Sequence, residues 1–249
     1  MPKVLVNDEN LTNIANAIRE KNGETTTYKP SEMASAIQNI ETGGGKYAPR
    51  YISFYRALIP DLTDELSVID TSNMTIMESM FESSTVGSLD LSFFDTSNVI
   101  TMKSMFEGCS YLKSLNVSSF DTSNVTNIGG MFDSCSKLVD LDLSSFDLSK
   151  VIMLGDAFYG MSKLENLIFG VNLGAGYDKT DSANTASYKI NLSKSTSLTH
   201  DSLMSVINNV YDIATKGCNV QTLQIGSTNL AKLTEDEIAI ATNKGWNVT

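Results

Sequence analysis

Histidine, cysteine, proline and positive charge are all scarce in this chain of 249 residues, which has one His, three Cys, four Pro and eighteen Lys and Arg. Against those cations stand twenty-nine Asp and Glu, so the formal net charge is −11. Duplex binding needs clustered Lys and Arg that displace counterions, so the charge excludes a general nucleic-acid binder, and an anionic membrane surface would repel it. No apolar run approaches the roughly 18 residues of a membrane span, so membrane insertion is not expected. Cys109, Cys135 and Cys218 are too few and too irregular for a disulfide framework or a four-ligand zinc site. The composition, 41% hydrophobic and 19% charged, is that of a globular chain. The first nine residues, Met1 to Glu9, lack the apolar stretch of a secretory signal peptide. The expectation is a protein made in a reducing cytoplasm.

What is abundant is repetition. Asp70-Thr71-Ser72-Asn73-Met74 returns as Asp95-Thr96-Ser97-Asn98-Val99, as Asp121-Thr122-Ser123-Asn124-Val125 and, loosely, as Asp147-Leu148-Ser149-Lys150-Val151, in steps of 25, 26 and 26 residues. Met80-Phe81, Met105-Phe106, Met131-Phe132 and Ala157-Phe158 keep the same register. So do Leu89-Asp90-Leu91, Leu115-Asn116-Val117, Leu141-Asp142-Leu143 and Leu167-Ile168-Phe169. The last marker alternates with period two, which predicts a strand with its leucines on one face. Asp-Thr-Ser-Asn is turn chemistry, in which the Asp carboxylate closes an Asx turn and the Ser caps the next element. Val99, Met102, Met105 and Phe106 then fall on a short helical stripe, repeated by Val125, Ile128, Met131 and Phe132 and by Val151, Leu154, Ala157 and Phe158. A strand and a short helix every 25–26 residues predict an α/β leucine-rich-repeat solenoid, with a parallel sheet on one face and short helices on the other.

The stretch Leu115 to Met131 closely resembles the BspA-type leucine-rich repeat, and the resemblance extends over residues 62–170. It departs in the fourth copy, where Lys150 stands for Asn and Ala157 for Met. The repeat domain is expected over residues 51–170, with Tyr51–Tyr55 as a shielding strand, and an irregular C-terminal cap over residues 171–249. In that cap Lys189–Leu192 and Thr222–Ile225 read as strands and Trp246–Val248 as a closing strand. Leu198–Ala214 reads as a helix with Leu203, Val206, Ile207 and Val210 on one face, and Thr234-x-x-Glu237 as a capping box.

Residues 1–42 have another character, with two short helices that carry Leu11, Ile14, Ile18, Met33, Ile37 and Ile40 on apolar faces, followed by a Gly-rich linker over residues 43–50. So few residues bury too little surface to be stable alone, so a docking or oligomerising role is expected. Asn10 to Gly23 with Pro30 to Ile37 looks like a module at the front of phage and prophage structural proteins of Gram-positive hosts. That resemblance implies a virion-surface protein such as a tail fibre or baseplate component. It would be docked to another virion protein through residues 1–42, as a homo-oligomer with a trimer favoured.

Catalysis has little to stand on. His200 is the single histidine, with no nucleophile-elbow motif beside it. Cys109 and Cys135, one repeat apart, read as stacked buried thiols, and Met77, Met80, Met102, Met105 and Met131 as core. The Asp70, Asp95, Asp121, Asp147 column offers one carboxylate per turn, too few for calcium. The expectation is therefore no enzyme, no metal and no cofactor. The candidate partner face is the outward side of the strands: Ser88, Asp90, Ser92, Ser114, Asn116, Ser118, Asp140, Asp142, Ser144 and Asn166. A host cell-surface protein or glycan is the expected partner, with a BspA-type cell-surface adhesin as the alternative role. Tyr111, Tyr159 and Tyr177 place an aromatic edge after the helical segments and in the Gly170–Lys189 loop.

Overall fold

The computed structural model describes residues 70–170, 173, 175, 189–216 and 220–249. The expectations for the module of residues 1–42, the linker, the Tyr51–Tyr55 strand, Tyr177 and Cys218 lie outside the described residues. What is described is mixed α/β, with short parallel strands and few helices.

Four units come first. Their strands are β1 (Ser88–Asp90), β2 (Ser114–Asn116), β3 (Asp140–Leu143) and β4 (Asn166–Phe169). β1 pairs with β2 and β3 with β4, both in parallel with a 26-residue offset, whereas β2 and β3 are not a hydrogen-bonded pair. Period-two alternation holds in β1, β3 and β4, where Leu89, Leu141, Leu143, Leu167 and Phe169 are buried and the residues between them face outward, while Leu115 in β2 is only half-buried.

The expected helices of these units are absent, which corrects the reading of the Val-Met-Met-Phe stripe. Residues 99–109 and their counterparts run as consecutive turns, with local bonds such as Met105 N–H to Met102 O and Glu107 N–H to Ser104 O. The reason is in the backbone. Ser79, Ser104, Gly130 and Asp156 form one column of left-handed residues (φ 54 to 65°), and Ser83, Gly108, Ser134 and Gly160 a second (φ 57 to 74°). A left-handed residue at every fourth position prevents the continuous right-handed dihedrals that bonds from i to i−4 require.

The alternate amides are thereby turned out of each unit and toward the next. Ser79 N–H donates to Lys103 O, Ser104 N–H to Gly129 O, and Gly130 N–H to Gly155 O, at 2.8–2.9 Å. Phe81, Phe106 and Phe132 donate in the same way to Met105, Met131 and Ala157. Met77, Met102 and Ile128 donate to Thr101, Asn127 and Met153, and Ser83, Gly108 and Ser134 to Glu107, Asp133 and Tyr159. Each unit is therefore bonded to its neighbour on the turn side even where the strands are not paired.

Inside lie the side chains that the repeat predicts. Phe81, Phe106, Phe132 and Phe158 stack with ring centroids 5.5–5.9 Å apart. Phe94, Phe120 and Phe146 make a second column at 6.1–6.4 Å. Offset contacts of this kind add about 0.5–1.5 kcal/mol per pair beyond area burial. The first column ends where Phe169 meets Phe158 edge-on at 5.1 Å. The five methionines named above are fully buried.

The end of the sheet is closed from outside. Helix α1 (His200–Asn209) brings Ser202 Oγ to 2.9 Å from Leu167 N and Ser205 Oγ to 3.1 Å from Phe169 N, so two hydroxyls accept the amides β4 would offer a further strand. α1 is shorter than expected. It stops at Asn209 because Val210 turns extended and bridges Leu173. A third parallel sheet follows, with β6 (Gln221–Gln224) between β5 (Lys189–Asn191) and β7 (Trp246–Val248). Helix α2 (Ser227–Leu230) is short, and α3 (Glu235–Asn243) opens with the expected capping box of Thr234 and Glu237. Trp246 is buried with its indole N–H donating to Tyr211 O, and one apolar cluster runs from Met74 to Trp246.

Candidate functional site

The outward face of the strands holds the residues that the sequence singled out, and part of its polarity is committed internally. Asp90 Oδ1 accepts the Ser92 amide at 3.0 Å, Asn116 Oδ1 the Ser118 amide at 3.1 Å, and Asp142 Oδ1 the Ser144 amide at 2.8 Å. Asn116 Nδ2 also reaches back to Asp90 Oδ1 at 2.9 Å, and Asn166 Nδ2 to Asp140 Oδ1 at 2.6 Å. Hydrogen bonds from Ser92 hold the Asp90 carboxyl below its usual range. Ser88, Ser92, Ser114, Ser118, Asp140, Asp142, Ser144 and Asn166 are exposed, whereas Asp90 and Asn116 are half-buried. Ile168 stands exposed in the column of Asp90, Asn116 and Asp142. The face is a field of hydroxyl, amide and carboxylate groups.

The Asp-Thr-Ser-Asn corner is built for cohesion. Asp70, Asp95, Asp121 and Asp147 each accept the amide two residues on, and Ser72 and Ser97 also donate their hydroxyls, at 2.6 Å. These hydroxyls serve the Asp, and no helix follows for them to cap, which corrects that expectation. Asp70 and Asp121 are drawn below the usual carboxylate range by their Ser partners. Sequence reasoning missed the next two members of the motif. Thr71, Thr96 and Thr122 are buried and bond to the Asp of the following unit. Asn98 and Asn124 donate back to the carbonyls of Ser72 and Ser97 at 2.8–2.9 Å. A Thr at a fixed place in every copy but the last was the available signal. In the fourth copy Leu148 is buried instead, and Lys150 bonds Asn124 Oδ1.

The remaining candidates are placed as follows. His200 lies exposed at the start of α1, with Nε2 2.9 Å from Glu237 Oε1 and Nδ1 3.7 Å from Asp201 Oδ1. Cys109 and Cys135 are buried free thiols that donate to Phe81 O and Phe106 O. Burial pushes the Cys109 thiol up to about 11 and Cys135 well above its ordinary value. Among the described residues no group of three His, Cys, Asp or Glu is arranged to hold a metal, and no helix is long and apolar enough to cross a membrane. Tyr111 is exposed and carries Lys137 Nζ 4.3 Å above its ring, while Tyr159 is half-buried.

Residues 53–169 match the family model described as a Mycoplasma protein of unknown function, DUF285. The matched stretch takes in the four units and ends with β4. No curated protein and no solved structure matches the chain.

Proposed function

We propose that this chain is a non-enzymatic attachment protein, a leucine-rich-repeat solenoid of BspA type that displays one row of polar side chains per coil to a partner. The observation that carries this reading is the ladder of turn amides that joins each coil to the next, reinforced by strand pairing between the first and second and between the third and fourth. Such a scaffold repeats the same exposed positions at a fixed spacing, which suits recognition of an extended surface. The partner is a host cell-surface protein or glycan. In this proposal the chain rides on a phage or prophage particle, held there as a homo-oligomer by residues 1–42 through Leu11, Ile14, Ile18, Met33, Ile37 and Ile40. Gold-labelled antibody to this chain on purified particles tests the location, and light scattering of the full chain tests the oligomer.

A second reading, a cell-surface adhesin, is favoured by the family match, because the DUF285 domain is found in BspA-like surface proteins. Label on cell envelopes and none on particles would select it.

A further inference from the structure

Within residues 70–170 there are thirteen carboxylates and only five cations, all lysines. Two of the five have polar side-chain partners. Lys103 pairs with Glu78 at 3.3 Å, and Lys150 bonds Asn124 Oδ1 at 2.9 Å. The other three, Lys113, Lys137 and Lys163, are exposed, and among the described residues none has a carboxylate within ion-pair distance.

These three share one corner of the stack, where the turns lead into the strands. Lys137 and Lys163 occupy the same position in successive units, a register fixed one residue earlier by Ser162 Oγ donating to Ser136 O at 3.4 Å. Tyr111 holds that position in the preceding unit, with Lys137 Nζ over its ring and Lys113 two residues further on. Successive units joined by parallel pairing lie about 4.8 Å apart, and like charges directly opposed at that spacing are destabilising. Lys137 and Lys163 stand opposed in adjacent units with Lys113 beside their column, so three exposed cations without a carboxylate partner among the described residues face solvent at one corner, available to an external anion. Ser110, Ser136 and Ser162 precede the three column residues and add hydroxyls beside each.

We infer that this corner, formed by Tyr111, Lys113, Lys137 and Lys163, binds an anionic polysaccharide. The lysines take the acidic groups of successive sugars, and the half-exposed Tyr111 offers the part of its amphipathic ring that Lys137 leaves uncovered to the apolar face of a sugar. The inference rests on the attachment reading and narrows its partner to a glycan bearing negative charge. The exposed Glu165, at the position Lys113 holds two units earlier, bounds the patch, so the ligand must engage Tyr111, Lys113, Lys137 and Lys163 together.

The test uses the full chain and affinity electrophoresis in gels that contain polygalacturonate, with neutral dextran and poly-glutamate as companion gels. Retardation by polygalacturonate alone is expected. Lys137→Gln with Lys163→Gln should weaken it roughly twenty-five-fold, since each lysine near an anionic surface contributes about a factor of five. Lys137→Arg should preserve binding. Lys103→Gln with Lys150→Gln removes the same charge elsewhere and should change affinity by less than about twofold. Equal loss in the two double variants, equal retardation by poly-glutamate or dextran, or no retardation in any gel overturns the proposal. Circular dichroism of each variant confirms that these exposed substitutions leave the fold intact. Gold label on particles combined with no polygalacturonate binding would leave the attachment reading standing and remove this site alone.

Discussion

The Thr96 hydroxyl accepts the Asp121 amide at 2.8 Å and donates to the Asp121 carbonyl at 3.0 Å, so one buried side chain satisfies both backbone groups of a single residue in the next unit. Thr96→Val keeps the shape and strands both groups, at a cost of about 1–3 kcal/mol in urea denaturation. Thr96→Ser should lose well under half of that. A negligible loss in Thr96→Val beside a clear loss in Thr96→Ser would show that the methyl packing matters and the bonds do not.

The core and the outward face should respond differently to charge. Met105→Asp puts an unpaired carboxylate where exposure is 0% and should cost on the order of 4 kcal/mol or more. Asn116→Asp turns the bond to Asp90 into a meeting of two carboxylates, and should cost about 1 kcal/mol above the carboxylate range and less as pH falls. Thermal melts at neutral and acid pH separate the two effects.

Two aspartates should push stability in opposite directions with pH. Asp90 has its carboxyl lowered in the fold, so its contribution is present above the unfolded value and is lost as pH falls through the folded one. Asp133 is raised, first by burial and then by Glu107 and Asp156, so its charged form is penalised once pH passes the carboxylate range. Asp133→Asn should therefore raise Tm above about pH 5, with the gain vanishing near pH 3. A gain independent of pH would point to packing as the cause.

Cys109 and Cys135 should resist alkylation at pH 8 in the native protein and react fully after unfolding, because buried thiols with raised pKa offer little thiolate. Mass spectrometry of each cysteine peptide reads this directly. Fast native labelling of Cys135 would mean that the stack opens between units.

Ser202→Ala combined with Ser205→Ala should speed amide exchange at Leu167 and Phe169, whose N–H groups lose their acceptors. Exchange at Leu141 in β3 should stay slow. Unchanged rates at Leu167 and Phe169 would mean that α1 shields the edge by packing alone.

The strands were legible because leucine alternation at a fixed spacing has one structural meaning, and the capping box because its two partners are three residues apart. The turn segments were not. Val99, Met102 and Met105 recur every third residue, and a chain of consecutive turns buries that pattern as well as a helix does. Only the backbone at Ser104 and Gly108, both with positive φ, decides between them. The Thr96 and Asn98 links escaped notice for another reason. Their partners lie 25 and 26 residues away, so their value exists only once the units are stacked in register. On the outward face the residues were named from the alternation alone, but the sharing of Asp90 Oδ1 between Ser92 and Asn116 is a property of two adjacent strands.

The turn-side ladder also has an electrical direction. The peptide joining Lys103 to Ser104 accepts from Ser79 and donates to Gly129, and the next peptide in line donates to Gly155. Three further files of peptides do the same. Each peptide carries a dipole of about 3.5 D, and aligned head to tail they sum as they do along a helix axis. The stack therefore has a carbonyl pole toward its first unit and an amide pole toward its last, unlike an ordinary sheet, whose dipoles alternate. Two such stacks meeting through like poles present donors to donors or acceptors to acceptors. Any end-to-end contact along these files must therefore run in the same direction as the chain.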